Sequence, residues 1–251
     1  MSLRNRVLAG ERVLGGMVFE FFSPGMAQIM ATAGAEYIIY DMEHSGASIE
    51  TIKWQTAACR GLGVTPLARP PVSDYHFIAR LLDVGVKGVM VPMVESAEEA
   101  RAIVEACHYP DVGRRGAAFG FAHDDYLPGA PSAKLARANA EVLVIAQVET
   151  ERGLEAVEDI AAVDGVDVIW IGQFDLTNFL GVPGEFDNPI YLDAVARISK
   201  TARDAGKALG IMAPSIDWAR SYAADGFDMI AAGTDQSLLA QGVAQVLEGA
   251  R

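Results

Sequence analysis

Short apolar runs separated by longer segments of mixed polarity recur along the whole chain. Runs at 13–22, 36–41, 65–69, 88–94, 142–148, 167–172, 208–213 and 229–232 have the length and β-branched content of strands. Between most of them, apolar residues recur at helical spacing over 49–62, 76–84, 97–107, 154–163, 191–205 and 216–224, and a final helix is expected over 236–247. Several strands are introduced by one local phrase: Ala33-Gly34-Ala35-Glu36-Tyr37, Val84-Gly85-Val86-Lys87-Gly88, Val163-Asp164-Gly165-Val166-Asp167 and Ala224-Asp225-Gly226-Phe227-Asp228. Each sets a glycine where a helix wants a left-handed cap, then enters a strand apolar on both faces. This is a repeat of βα units with right-handed crossovers, and eight of them with polar strand ends spread evenly favour closure over a wide open sheet. No G-x-G-x-x-G follows the first strand, so the usual signature of a doubly wound dinucleotide fold is missing. The expectation is a single α/β domain, a (β/α)8 TIM barrel spanning 1–251.

Composition agrees and narrows the function classes. At 251 residues the chain has the typical length of one such barrel, and with 51% hydrophobic and 21% charged residues it has ample apolar surface to bury. A net charge of −13 argues against nucleic acid as a partner, because phosphate binding needs clustered Lys and Arg. No run approaches a membrane span and no leader pattern opens the chain, so a cytoplasmic protein without a membrane partner is expected. Cys59 and Cys107 sit in helical segments and read as buried thiols rather than a disulfide. The stretch 109–131 breaks the rhythm; it reads as a lid or a subunit contact, or more simply as a solvated polar loop around His123, Asp124 and Asp125.

The chemistry lies at strand ends. Glu149 and Asp175 each close an apolar run, and two carboxylates on successive strands of a barrel can converge on a hard divalent cation such as Mg2+ or Mn2+. Each also reads as a cap of the following helix, although capping alone does not call for acids on both strands. Arg69, fixed by Pro70 and Pro71, offers a planar fork to a carboxylate or enolate oxygen, or an ion pair to a neighbouring acid. A strand-end arginine contributes little to core packing, so its loss is expected to leave the fold intact. His44, beside Asp41 and Glu43, sits where acids would raise its basicity. Asp83, at an apolar helix end, needs a partner if buried, and His44 is one solution.

Asp41-Met42-Glu43-His44, Ala68-Arg69-Pro70, Leu81-Leu82-Asp83-Val84-Gly85, Val91-Pro92-Met93-Val94, Tyr109-Pro110 with Arg115-Gly116, Gln147-Val148-Glu149-Thr150 and Ile171-Gly172 with Asp175-Leu176 together resemble, in order and spacing, the HpcH/HpaI aldolase family of metal-dependent class II pyruvate aldolases. The resemblance runs from about Gly15 to Leu239. It implies reversible cleavage of a 4-hydroxy-2-oxo acid to pyruvate and an aldehyde, with Mg2+, Mn2+ or Co2+ held by Glu149 and Asp175. It further implies Arg69 on the enolate, and His44 as acid–base group in a dyad with Asp83. Gln147 would lie at the keto oxygen, and Gly172, Gln173 and Phe174 beside the pyruvate carboxylate. Gln173 stands where the family commonly has proline, and Met212 falls in the region that receives the aldehyde. The family's habit of exchanging a C-terminal helix within hexamers, trimers of dimers, implies a homo-oligomer. A second expectation keeps the site but uses the enolate in oxaloacetate decarboxylation or in a citramalyl- or citrate-lyase-like cleavage.

Overall fold

A strand buried on both sides must place alternate side chains in two different cores. The computed structural model, which describes residues 1–251, has both. Eight parallel strands close into a barrel in chain order: β1 (Val13–Val18), β2 (Tyr37–Asp41), β3 (Thr65–Arg69), β4 (Gly88–Val91), β5 (Leu143–Val148), β6 (Val168–Ile171), β7 (Ala208–Met212) and β8 (Met229–Thr234). One parity points inward: Tyr37 and Ile39 of β2, Leu67 of β3, Leu143 and Ile145 of β5, and Val168 and Trp170 of β6 belong to an interior cluster of 15 buried residues. The other parity joins a cluster of 44 buried residues between strands and helices.

Twelve helices complete the molecule: α1 (Leu3–Leu8), α2 (Gly25–Thr32), α3 (Ile49–Cys59), α4 (Tyr75–Asp83), α5 (Ala97–Cys107), α6 (Pro131–Glu141), α7 (Glu151–Glu155), α8 (Val157–Ala161), α9 (Gln173–Phe179), α10 (Pro189–Asp204), α11 (Ile216–Ala224) and α12 (Asp235–Gly249). Some starts are capped by side chains, with Ser48 and Thr51 forming a capping box on α3 and Asp74 accepting two amides on α4. α1 buries Leu3 and Val7 in the interior cluster, so it plugs the end of the barrel where the strands begin. No helix is long and apolar enough to cross a membrane. Cys59 and Cys107 are free and buried, as expected.

The differences from expectation have physical causes. The first strand stops at Val18 because the buried carboxylate of Asp235 takes the next amides: Phe19 N to Oδ1 at 2.9 Å, and Glu20 N and Phe21 N to Oδ2 at 3.1 and 2.6 Å. The fourth stops at Val91 because Pro92 has no amide to give and Met93 N donates elsewhere, as described below. The helix expected over 154–163 is two short helices that meet at Ala156. The segment 109–131 is no lid over its own barrel mouth. It joins the end of α5 to α6 on the side where strands begin, where Lys87 Nζ donates to His123 O at 3.2 Å and Arg60 Nη2 to Ala122 O at 3.2 Å.

Packing inside the barrel is tight at the β6–β7 seam, where Trp170 and Gly210 are register partners. A Cβ on Gly210 would lie 2.2 Å from Trp170 Cε3. Gly210→Ala is therefore expected to destabilise the fold by about 1–3 kcal/mol through overpacking, measured as a lowered midpoint in thermal unfolding.

Candidate active site

The inward parity that is apolar in the lower barrel turns polar at the strand ends. On β2 it runs Tyr37, Ile39, Asp41; on β3, Leu67, Arg69; on β5, Leu143, Ile145, Gln147 and, one step past the strand, Glu149. On β6 it runs Val168, Trp170 and then Gly172, where a Cβ would sit 2.1 Å from Glu149 Oε2 and 2.6 Å from Gln147 Nε2. Only glycine leaves room for those two side chains. The result is a cavity of about 300 Å3 lined by Met17, Phe19, His44, Arg69, Met90, Gln147, Glu149, Trp170, Gly172, Gln173, Phe174, Asp175, Met212 and Thr234. A larger groove of about 760 Å3 lies between α10 and α11 on the outer surface, lined by aromatics such as Phe186 and Trp218, and gathers no comparable set of charges at strand ends.

Of the two readings for Arg69, the ion pair with a neighbouring acid is formed. It is buried, at 5% exposed, and faces its register partner Asp41, which is fully buried; Arg69 Nε donates to Asp41 Oδ1. Its Nη1 lies 3.1 Å from Glu43 Oε2, and its guanidinium sits over the Phe19 ring at 5.3 Å. Asp41 Oδ2 accepts the His44 amide at 2.7 Å, which fixes the turn that carries the histidine. The exposed His44 ring has Glu43 as its neighbour, Nε2 to Oε2 at 3.6 Å. Burial, and repulsion from Asp41 and Asp175, push the Glu43 carboxyl upward against the pull of Arg69 and His44.

The dyad of His44 with Asp83 is not made within this chain. Asp83 ends α4, which leads into the start of β4, so it lies at the opposite end of the barrel from His44. Its Oδ1 accepts from Arg115 Nη2 at 2.6 Å. The sequence showed an acid that needs a partner but not which partner the topology supplies.

Glu149 and Asp175 are not caps. Thr150 Oγ1 caps α7 by accepting from Gly153 N at 3.0 Å, and Gly172 stands at the N-cap of α9. Glu149, at 1% exposed, accepts Met93 N at 2.8 Å and Gln147 Nε2 at 2.5 Å. Met93 takes a left-handed backbone (φ 51°), a conformation that costs a residue with a Cβ, and so aims its amide at the carboxylate. Burial, the largest cause, together with the charges of Glu43 and Asp175 pushes the Glu149 carboxyl up to about 7 despite the Met93 bond and Arg69. Gln147 Oε1 is buried with no partner. Gln173, also buried, donates from Nε2 to Met212 O at 2.6 Å, one residue beyond the last β6–β7 register pair, so its side chain continues the ladder after β6 has turned into α9. No three His, Cys, Asp or Glu side chains converge as a ready-made metal cage. What the cavity offers is two carboxylates beside an unpaired amide oxygen, an all-oxygen set that suits a hard cation completing its shell with substrate oxygens and water.

The model of the HpcH/HpaI aldolase/citrate lyase family matches residues 16–242. The chain belongs to this family. A hydroxypyruvate/pyruvate aldolase of Deinococcus radiodurans is 38% identical over 234 residues, covering 93% of this chain and 84% of that protein. A 2-keto-3-deoxy-L-rhamnonate aldolase of Klebsiella pneumoniae is 34% identical over 94% of this chain and 87% of its own length. The crystal structure of an HpcH/HpaI aldolase from Desulfitobacterium hafniense superposes with a TM-score of 0.94 at 30% identity, covering 99% of this chain and 96% of the other. As a member of the family this protein is an enzyme, a carbon–carbon lyase of the aldolase type.

Site residues that the sequence did not single out are the inward Met17, Met90 and Trp170, legible in retrospect from strand parity, and Thr234 at the end of β8. Burial of the Arg69–Asp41 pair also overturns the expectation that Arg69 is dispensable to the fold. Arg69→Ala strands a fully buried carboxylate and is expected to cost about 3–5 kcal/mol in urea unfolding. Adding Asp41→Asn is expected to recover at least half of that loss.

Proposed function

We propose that this enzyme is a metal-dependent class II aldolase that reversibly cleaves a 4-hydroxy-2-oxo acid to pyruvate and an aldehyde. The observation that carries it is the convergence on one cavity of Glu149, Asp175 and the buried Arg69, with no lysine in the lining to form an imine. A divalent cation, Mg2+, Mn2+ or Co2+, held by Glu149 and Asp175 supplies the Lewis acid that draws electron density toward the 2-oxo group. In cleavage the C3–C4 bond breaks, the C4 hydroxyl gives up its proton as it becomes the aldehyde carbonyl, and C3 gains a proton as the enolate becomes the pyruvate methyl. No oxidant or reductant enters. Arg69 donates to the oxygens on which negative charge develops, and its fixed partners Asp41 and Glu43 keep the fork aimed without rearrangement. His44, exposed at the rim with Glu43 beside it, takes and returns the hydroxyl proton. Gln147, Gly172, Gln173 and Phe174 shape the end of the cavity that holds the 2-oxo acid, and Met212 the wall toward the aldehyde.

We further propose that the protein works as a homo-oligomer, a hexamer built as a trimer of dimers, with α12 as the contact. Supporting this, α12 buries only Asp235 while exposing Leu238, Leu239, Val243, Val246 at 73% and Leu247.

Chelation is expected to abolish pyruvate release from a 4-hydroxy-2-oxo acid, and added Mg2+, Mn2+ or Co2+ to restore it; release that survives chelation overturns the metal role. Because the Glu149 carboxyl ionises only at about 7, protons compete with the cation below that pH. Mn2+ affinity by calorimetry is expected to fall about tenfold for each pH unit below 7 and to level off above it. By native mass spectrometry the protein is expected at multiples of the monomer mass, and Leu239→Glu with Val246→Glu is expected to shift it to monomer. A wild-type monomer overturns the assembly.

A further inference from the structure

We infer that Asp235 is a positioning residue for the chemistry of this site, a role that rests on the aldolase function above: its carboxylate holds segment 19–21 so that the Phe19 ring keeps the Arg69 guanidinium correctly tilted. Asp235 is not among the residues that line the cavity, and it acts through Phe19.

A break in register brings it there. β1 and β8 pair Gly15 with Ala231 but Met17 with Thr234, so β8 carries one extra residue between these pairs. Gly233, at φ 71°, absorbs it in a left-handed conformation that a side chain would resist. The bulge turns Thr234 toward the cavity and leaves Asp235, the first residue of α12, beside the end of β1. There the carboxylate is 6% exposed and takes three successive amides, Phe19 N on Oδ1 at 2.9 Å, and Glu20 N and Phe21 N on Oδ2 at 3.1 and 2.6 Å. Hydrogen bonds to an ionised acceptor are stronger than neutral ones, and three on one group fix the chain that carries them. The start of a 15-residue helix adds a favourable field for the negative charge.

Fixing that chain matters because of how Arg69 is held. Its acid partners, Asp41 at Nε and Glu43 at Nη1, act through N–H groups that lie in the guanidinium plane. Two such contacts leave the plane free to rock about the line that joins them. Phe19 lies over the face, with Cζ of Arg69 at 5.3 Å from the ring centroid, and opposes that rocking. A donor that must meet charge developing on an enolate oxygen is most effective when its orientation is settled beforehand. The other tie on this segment, Phe22 O accepting from Gln55 Nε2 at 2.6 Å, lies three residues past Phe19 and does not hold the Phe19 amide itself.

The test follows enolate formation alone, as exchange of the pyruvate methyl protons for deuterium by the Mg2+-loaded enzyme, read by NMR. Asp235→Asn keeps the size of the side chain but leaves one acceptor oxygen for amides that occupied two. Its kcat is expected to fall about tenfold while KM for pyruvate changes by less than about twofold, since Arg69 acts on charge that develops only as the enolate forms. Phe19→Leu is expected to lower kcat by a like amount, and Asp235→Asn added to Phe19→Leu to lower it by less than about twofold more. Mn2+ affinity by calorimetry is expected to be unchanged in all three variants, because Glu149 is held by Met93 and Gln147 and not by segment 19–21. Losses that multiply in the double variant, a rise in KM in place of a fall in kcat, an unchanged kcat, or weakened Mn2+ binding overturn the inference while leaving the aldolase function standing. Should circular dichroism show that Asp235→Asn does not fold, Asp235→Glu, which keeps the charge but displaces it, takes its place under the same criteria. Wild-type enzyme that neither exchanges pyruvate protons nor releases pyruvate from a 4-hydroxy-2-oxo acid sinks the aldolase function itself, and the inference with it.

Discussion

The guanidinium of Arg69 is the one permanent cation in a ring of acids at the barrel mouth. Asp41 and Glu43 hold it directly, and Glu149 and Asp175 face the same space. Excess negative charge in a poorly hydrated site is costly, and the protein leaves part of that cost standing in the raised carboxyls of Glu43 and Glu149. Such a site is short of positive charge when empty of substrate, which is why a divalent cation and a polarised 2-oxo acid suit it.

Strand parity explains how a packed core and a reactive site share the same eight strands. Inward positions two residues apart on β5 pass from Leu143 and Ile145 to Gln147 and Glu149. A shift of one residue in any register would exchange these with the outer layer and bury charge among helices. Gly172 belongs to the same logic, since the inward position next to Glu149 must be vacated for the carboxylate to keep its two hydrogen bonds.

Because parity and repeat are local, most of the barrel was legible in the sequence. β3 spans the expected residues, as do α5 and α11, and the strand-end residues Arg69, Gln147, Glu149, Gln173, Phe174, Asp175 and Met212 all line the cavity. What escaped was non-local. The partner of Asp83 depends on which end of the barrel α4 finishes, and a strand-end pattern carries no such information. The early end of β1 depends on a carboxylate more than two hundred residues away. α6 buries no residue fully, so its apolar periodicity is too weak to mark it, and α2 buries only Ala27. The tie from Gln173 to Met212 needs the two strand ends side by side before either residue suggests it.

The bonds from Asp235 to the three amides after β1 bear on when the molecule becomes an enzyme. Every charged residue of the mouth has been synthesised once Asp175 leaves the ribosome. Phe19, however, stacks on Arg69 from a segment whose amides are held by Asp235, and β1 completes its pairing only with β8. A nascent chain thus carries all its acids long before it has a closed mouth to order them.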